Sequence, residues 1–348
     1  MSVCKTLDLG RTSPVSSSPP DPSLRNGDDG AAKRVEWETR PLIDPRRDLD
    51  FECWQTFNAG AVAIGDKVHF LYRAIGRDSI SRFGYANSSD GLHLDERLDK
   101  PACQYNLVRP SFYSYVSGGS SGGIEDPRIV RIEDKVHMTY TVCDDSGLGV
   151  GMTAIPVDDF LAKRWDHARL RTISPRAEIH KNWVLFPEKI GGRYALMHSI
   201  SPKILIDYFD DLEFEGEALV RSYHNGVLNG GWKGGWEGWI RGAGPPPIRT
   251  DHGWLVFYHA LPRNRLGGYC IGAMLLDIDD PTTILYRAKE PIVTPWDIAD
   301  GVKLNVVYTC GAVTKDGDIL LYYGAADTRV RVAHTNLDAF LDALARRS

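Results

Sequence analysis

Residues 127–141 read PRIVRIEDKVHMTYT, and this stretch decides the fold. A strand-like run meets a tight polar turn at Glu133 and Asp134, and a strongly apolar strand follows, ending in aromatic and polar residues. The same two-strand phrase returns as GAVAIGDKVHFLYR (60–73), VLFPEKIGGRYALMHS (184–199), PPIRTDHGWLVFYHA (246–260) and GAVTKDGDILLYYGA (311–325). Its turn residues Asp66, Asp134, Gly191, Asp251 and Asp316 lie 57 to 68 positions apart. Further strand candidates follow the phrases, among them SRFGYANSSDGLHL and GYCIGAMLLDI. Repeated sheet units of about four strands arranged around an axis make a propeller, which leaves only short, protected edges. The expected fold is therefore all-β, a five-bladed β-propeller. A duplicated β-sandwich is the alternative, but its strands would recur without this longer period.

Outward from the repeats, the two ends differ in character. Residues 10–33 are dominated by Ser, Pro, Gly and Asp, so residues 1–35 are expected to be a disordered tail and 36–348 a single catalytic domain. The closing TNLDAFLDALARRS predicts a short helix capped by Asn336, with Leu337, Phe340, Leu341 and Leu344 on one face. The 348-residue chain is 43% hydrophobic and 25% charged, ordinary globular values, with a formal charge of −5 and no basic block. That balance speaks against nucleic acid or an anionic membrane as a partner. Six cysteines lie far apart without a C-x-x-C pair, so no zinc site and reduced thiols are expected. The N-terminal residues lack a continuous apolar stretch and no run approaches 18 apolar residues, which predicts neither signal peptide nor membrane span, and a cytoplasmic setting.

In such a repeat the polar residues at strand starts converge. SGGSSGGIEDPRIVRI (117–132) sets a glycine- and serine-rich run against Glu125 and Asp126, with Asp126 just before the second phrase. Asp-Pro is often only a turn. Here Pro127 is expected to hold Asp126 extended at the start of a strand. Asn58, Asn182 and Asn305 stand before other phrases, while Arg73, His198, His259 and Asp327 follow apolar strands, where a turn residue would be ordinary. Carboxylates, amides and aromatic rings together suit a sugar, and Trp232, Trp236 and Trp239 offer stacking surface or packing between blades.

GGIEDPRI, NWVLFPEKIGGRYALMHS, GAGPPPIRTDHGWLVFYHA, GAMLLDIDDPTTIL and YYGAADT, in this order from about residue 36 to 340, resemble glycoside hydrolase family 130. That family comprises β-mannoside phosphorylases and β-mannosidases on a five-bladed propeller. The resemblance implies Asp126 as proton donor and Asn58, Arg73 and Asp327 as holders of the terminal mannose; Glu125, Asn182, Trp236 and Asn305 are added as substrate-binding candidates from the polar junctions and aromatic rings themselves. Lys181 with Asn182, His259 and Tyr269 fall on the phosphate site. Two basic positions of that site are replaced, an arginine by Ser199 and a lysine by Ile240, though Arg241, Arg263 or Arg265 could compensate. A buried oxyanion without cationic partners is costly, so the sequence favours hydrolysis, with Glu237 as the base that activates water.

The expected function is thus cleavage of terminal β-mannosides with inversion by a β-mannosidase. Asp126 acts as the acid, its pKa raised by burial near Glu125, and its carboxylate stands roughly 6.5–9.5 Å from the base. The alternatives are a phosphorylase giving α-mannose 1-phosphate and a non-catalytic glycan-binding propeller. The expected partner is a mannose-containing oligosaccharide, with no metal and no cofactor, and inorganic phosphate a co-substrate only for a phosphorylase. Homo-oligomer formation is left open.

Overall fold

The computed structural model describes residues 36–104, 117–165, 170–214, 220, 229–230, 235–263, 268–296, 298, 301–303 and 305–346. The expected tail, residues 1–35, lies outside them. Within them the chain is mostly β, with a C-terminal helix, Leu337–Arg346. Strand β1 (Glu38–Ile43) precedes a first group, β2 (Gln55–Ile64), β3 (Lys67–Ile75), β4 (Ile80–Ser88) and β5 (Glu96–Arg97). A second group follows: β6 (Gly122–Ile132), β7 (Lys135–Asp144), β8 (Gly147–Pro156) and β9 (Arg171–Thr172). The third is β10 (Val184–Leu185), β11 (Tyr194–Ser199) and β12 (Leu205–Phe209). The fourth runs through β13 (Asn229–Gly230), β14 (Trp239–Ala243), β15 (Ile248–Thr250), β16 (Gly253–Leu261), β17 (Cys270–Leu276) and β18 (Ile284–Arg287). The fifth is β19 (Val307–Lys315), β20 (Asp318–Ala325) and β21 (Arg329–Asn336), whose last strand pairs with β1.

Every repeated phrase is an antiparallel hairpin: β2–β3, β6–β7, β10–β11, β15–β16 and β19–β20. The turns have the chemistry such hairpins need. Asp316 and Gly317 both take positive φ (51° and 84°), the pairing a tight two-residue hairpin loop favours. The first two groups share one sheet only through a short parallel contact of Ile80–Ser81 with Gly122–Gly123, and no sheet closes on itself among the described residues.

The core consists of layers between successive groups, because alternate residues of each inner strand point to opposite neighbours. Phe70, Tyr72, Leu320 and Tyr322 join the fifth group to the first, and Leu71, Phe83, Val136 and Met138 join the first to the second. Val130, Met152, Trp183 and Leu196 join the second to the third, and Val184, Met197, Trp254 and Met274 the third to the fourth. Phe257, Ile271, Leu321 and Tyr323 complete the series between fourth and fifth, covered by Phe340, Leu341 and Leu344 of the helix. Asn336 caps that helix, its Oδ1 accepting the Ala339 N–H at 3.1 Å.

Five cysteines within the described residues, Cys53, Cys103, Cys143, Cys270 and Cys310, are free. No helix among those residues is long and apolar enough to cross a membrane.

Candidate active site

The inner strands do not run straight into their hairpins. Register shifts interrupt β2 between Phe57 and Gly60, β6 between Glu125 and Arg128, β14 between Ile240 and Gly242, and β19 between Thr309 and Gly311. Such a bulge re-aims the side chains it carries. The backbone is left-handed at Asn58 and Asp126 inside the first two of these bulges, and at Asn182, Asn305 and Asp327 beside the ends of other strands, with φ of 49°, 52°, 66°, 63° and 48° in that order. Asn and Asp tolerate this region best among residues with a Cβ, which is the local reason these types recur at the junctions.

The extended Asp126 expected from Pro127 is therefore corrected. The strand begins at Gly122, and Pro127 sits inside it at the bulge, where it owes no N–H to the ladder. Neighbouring bulges press together closely enough to require glycine. A Cβ on Gly60 would stand 2.4 Å from the Pro127 carbonyl oxygen, and one on Gly324 would stand 2.2 Å from Asn58 Oδ1.

Asp126 is 2% exposed and lies among cations. Asn58 Nδ2 donates to Oδ1 at 2.8 Å, Arg73 Nη1 stands 3.5 Å from the same oxygen, and Lys181 Nζ is 3.6 Å from Oδ2. Arg73, fully buried, also donates to Glu125 Oε1 at 3.0 Å and Ser81 Oγ at 2.8 Å. Glu125 Oε2 accepts from Ser117 Oγ at 2.6 Å and Lys181 Nζ at 3.3 Å, and Lys181 also donates to Ser117 Oγ. Burial alone would raise the Asp126 pKa. Lys181, Arg73 and Arg128 outweigh it, with help from Asn58, and hold the carboxyl well below the usual carboxylate range. The expected raised pKa is thus reversed, because the burial comes with three positive charges.

A second layer lies beside it. Arg128, 2% exposed, donates to the Asp126 carbonyl at 3.0 Å, to the Gly244 carbonyl at 2.8 Å and to Asn182 Oδ1 at 2.8 Å. Tyr308 donates to the same Asn182 oxygen at 2.5 Å, and Asn182 Nδ2 donates to the Arg241 carbonyl at 2.9 Å. The Asn182 amide thus holds the frame of the site. His259 stacks on Tyr308 with ring centroids 3.7 Å apart, while Tyr269 meets Tyr308 edge-on. Burial, with Arg128 nearby, keeps His259 well below its ordinary pKa and therefore neutral.

Arg241 joins this layer by a side-chain hydrogen bond to Tyr308, and Tyr269 and Asp126 also lie within its electrostatic reach. Two buried atoms in the cluster have no hydrogen-bond partner, Asn58 Oδ1 and His259 Nδ1. Asp327, 5% exposed, has its carbonyl fixed by Gln55 Nε2 at 2.6 Å and Lys303 Nζ 3.9 Å from its carboxylate. Burial pushes its pKa up to about 6, against the pull of Lys303 and Arg73 and with the help of Asp126.

Asn58, Arg73, Glu125, Asp126, Lys181, Asn182, His259, Tyr269 and Asp327 are thus linked to this one cluster. Other expected residues are not brought to it by the contacts of the described residues. Glu237, in a 3-10 turn, accepts a hydrogen bond from Tyr258 and lies 3.4 Å from Arg287. Tyr258 and His259 are consecutive on β16 and point to opposite faces, so Glu237 lies across the strand from His259. Trp236 stacks on Tyr258 on that same far side and donates to the Lys289 carbonyl, which makes it packing. Asn305 is exposed and offers its carbonyl to Tyr269 N–H. His198 faces Trp183 and Asp207. Ser199 donates to the Ser201 carbonyl. Arg263 lies over Trp239. Trp232 and Arg265 lie outside the described residues.

Ile240 and Arg241 show what the bulge does. Ile240 packs into the core, 1% exposed, and Arg241 takes the neighbouring position facing Tyr308. Arg128 and Tyr308 escaped the sequence reading. Arg128 is an arginine directly after the Asp-Pro pair and directly before the apolar Ile129 and Val130, which is the signal it leaves. Tyr308 leaves none beyond its place before the fifth phrase. No group of three or more His, Cys, Asp or Glu among the described residues is arranged for a metal ion.

A sequence-family model described as beta-1,4-mannooligosaccharide phosphorylase matches residues 33–346. A 1,2-beta-oligomannan phosphorylase from a Thermoanaerobacter species is 34% identical over 311 residues, spanning 84% of this chain and 94% of that one. A beta-1,2-mannobiose phosphorylase from Listeria innocua is 32% identical over 306 residues, spanning 85% and 76%. Among solved structures, the complex of a Listeria innocua beta-1,2-mannobiose phosphorylase with beta-1,2-mannobiose matches with a TM-score of 0.68 at 25% identity, covering 88% of this chain and 97% of that one.

Proposed function

Since the chain belongs to glycoside hydrolase family 130, whose members process β-mannosides, we propose that it is a phosphorylase of β-1,2-linked mannosides built as a five-bladed β-propeller. The architecture is supported by five antiparallel groups whose core layers run from each group to the next and back to the first. The observation that carries phosphorolysis is Arg241. Its guanidinium and that of Arg128 bring positive charge to the neutral His259, whose Nδ1 has no partner, and Arg241 and Tyr269 are the partly exposed members of this layer. An oxyanion gains most from such fixed, charge-assisted donors. The carboxylate that would have to activate water, Glu237, is engaged by Tyr258 and Arg287.

In this reading Asn58, Arg73 and Asp327 hold the terminal mannose. Asp126 gives a proton to the leaving oxygen, directly or through a sugar hydroxyl. An oxygen of hydrogen phosphate attacks the anomeric carbon from the opposite face as the bond to the acceptor breaks. The proton that hydrogen phosphate carried is released and restores Asp126. The products are α-mannose 1-phosphate and the shortened acceptor.

β-1,2-Mannobiose incubated with and without phosphate is expected to yield mannose 1-phosphate at a rate that saturates with phosphate. Free mannose in equal amounts, at a rate indifferent to phosphate, would establish the other reading. Hydrolysis is favoured by one observation, Ser199, whose hydroxyl is turned to the Ser201 carbonyl where the resemblance places an arginine.

Arg241→Met tests the assignment by residue. A charge-assisted hydrogen bond is worth about 1.5–3 kcal/mol, so the phosphate KM should rise roughly 10- to 100-fold with the mannobiose KM little changed. An unaltered phosphate KM would remove Arg241 from the site.

A further inference from the structure

The bulge that carries Asp126 has to be held in place by something other than the strand ladder. β6 pairs with β7 through Glu125 opposite Thr141 and Arg128 opposite Thr139, so Asp126 and Pro127 stand outside the register. Asp126 is left-handed there, with φ of 52°, a conformation that a residue with a Cβ keeps only where its surroundings enforce it. Pro127 has no N–H to contribute. The next residue closes the bulge: Arg128 Nη1 donates back to the Asp126 carbonyl at 3.0 Å.

We infer that Arg128 is the positioning residue of the proton donor: its guanidinium clasps the Asp126 bulge and ties it to three other strand groups, which sets the direction of the carboxyl group. The inference rests on Asp126 being the acid, as in the function proposed above, and it holds whichever nucleophile attacks. Arg128 acts through Asp126.

The clasp works because a guanidinium is planar and its N–H groups point in fixed directions. Nε donates to the Gly244 carbonyl at 2.8 Å, between β14 and β15. Nη2 donates to Asn182 Oδ1 at 2.8 Å, just before β10, and lies 3.5 Å from the Tyr308 hydroxyl on β19. These anchors are themselves fixed. The Gly244 N–H donates to the Phe257 carbonyl at 2.8 Å, and a Cβ on Gly244 would stand 2.8 Å from Thr309 Cγ2. Asn182 Oδ1 also accepts from Tyr308, whose ring is stacked on His259. Arg128 is 2% exposed and fully enclosed by these partners. The backbone of Asp126 is thus set from behind by Arg128, while Asn58 and Lys181 meet its carboxylate from the sides.

Charge alone does not reproduce this. A lysine keeps the positive charge, but its compact ammonium cannot serve three acceptors lying in three directions. A shift of about 1 Å in a reacting group is enough to cost on the order of 10²-fold in rate.

The experiment compares Arg128→Lys, Asp126→Asn and the double variant with wild type in excess phosphate. Steady-state rates are measured on β-1,2-mannobiose and on an aryl β-mannoside with an activated leaving group. Arg128→Lys is expected to lose about 10- to 100-fold on mannobiose and less than about threefold on the aryl mannoside, which needs little protonation. A protein that has merely lost folded fraction slows both substrates alike. On mannobiose the double variant should match Asp126→Asn within about twofold, since a residue that acts through Asp126 then has nothing left to position. Should Arg128→Lys fail to fold, Tyr308→Phe takes its place. It removes the hydroxyl beside Arg128 and Asn182 but keeps the ring on His259, and should give the same unequal pattern with a loss of about 2- to 10-fold. Equal losses on the two substrates, an unchanged mannobiose rate, or losses that multiply in the double variant would each overturn the inference. If Asp126→Asn itself slows both substrates equally, the acid assignment fails and the inference falls with it. Free mannose as the product would overturn phosphorolysis alone, because the comparison of leaving groups reads Arg128 with either nucleophile.

Discussion

Asp126→Asn is expected to lower turnover of a β-mannoside by about 10²–10⁴-fold, the range a general acid supplies, while the protein remains folded. Asparagine keeps the size and the acceptor oxygen that Asn58 and Arg73 use, so the left-handed bulge at this position can persist. What it cannot do is pass a proton to a leaving oxygen. The loss should therefore depend on the leaving group. A mannoside with an activated aryl leaving group needs little protonation and should retain most of its rate, whereas mannobiose should show the full loss. Steady-state rates on the two substrates make the comparison. Equal losses on both would mean that Asp126 positions the sugar and that another group gives the proton.

Arg73→Met is expected to produce the largest loss of stability. Arg73 is completely buried, stands 3.0 Å from Glu125 and 3.5 Å from Asp126, and lies over the Phe57 ring at 4.8 Å. Methionine restores part of the volume but leaves two buried carboxylates with Lys181 as their principal remaining cation. Breaking a buried pair from one side costs about 3–5 kcal/mol, which lowers Tm by roughly 5–15 °C.

The deficit has a pH signature. In the wild-type protein Asp126 lies below its unfolded value, so it contributes stability above about pH 3.9 that is lost as the pH falls through its folded pKa. Without Arg73 that depression is smaller. The gap between the two proteins should be full at neutral pH and narrow below about pH 4. Equilibrium denaturation at pH 7 and at pH 3.5 measures both, and a variant as stable as wild type at pH 7 would show that the ion cluster contributes nothing net to the fold.

The sequence by itself determined whatever depends on neighbours along the chain. The five hairpins were legible because alternation and turn chemistry are local, as at Asp316–Gly317. The helix was legible because Asn336 and the spacing of Phe340, Leu341 and Leu344 are local too. The polar junctions at Asn58, Asp126, Asn182 and Asp327 could be picked out, since few other residue types sit easily in the left-handed backbone they require.

The tertiary structure decided the electrostatics and the side of each strand a residue serves. A bulge shifts the alternation by one position, and that shift turned Ile240 inward and brought Arg241 to Tyr308. It also made Pro127 a mid-strand residue. The strand face likewise sent Glu237 away from His259, a matter of whether Tyr258 or His259 points inward. Arg128 gained its role from Gly244, Asn182 and Tyr308, partners 54 to 180 positions along the chain. The protonation of Asp126 was hidden for the same reason. Burial alone raises a carboxyl pKa and burial among Arg73, Arg128 and Lys181 lowers it, and which charges surround a group is settled only when distant segments fold onto one another.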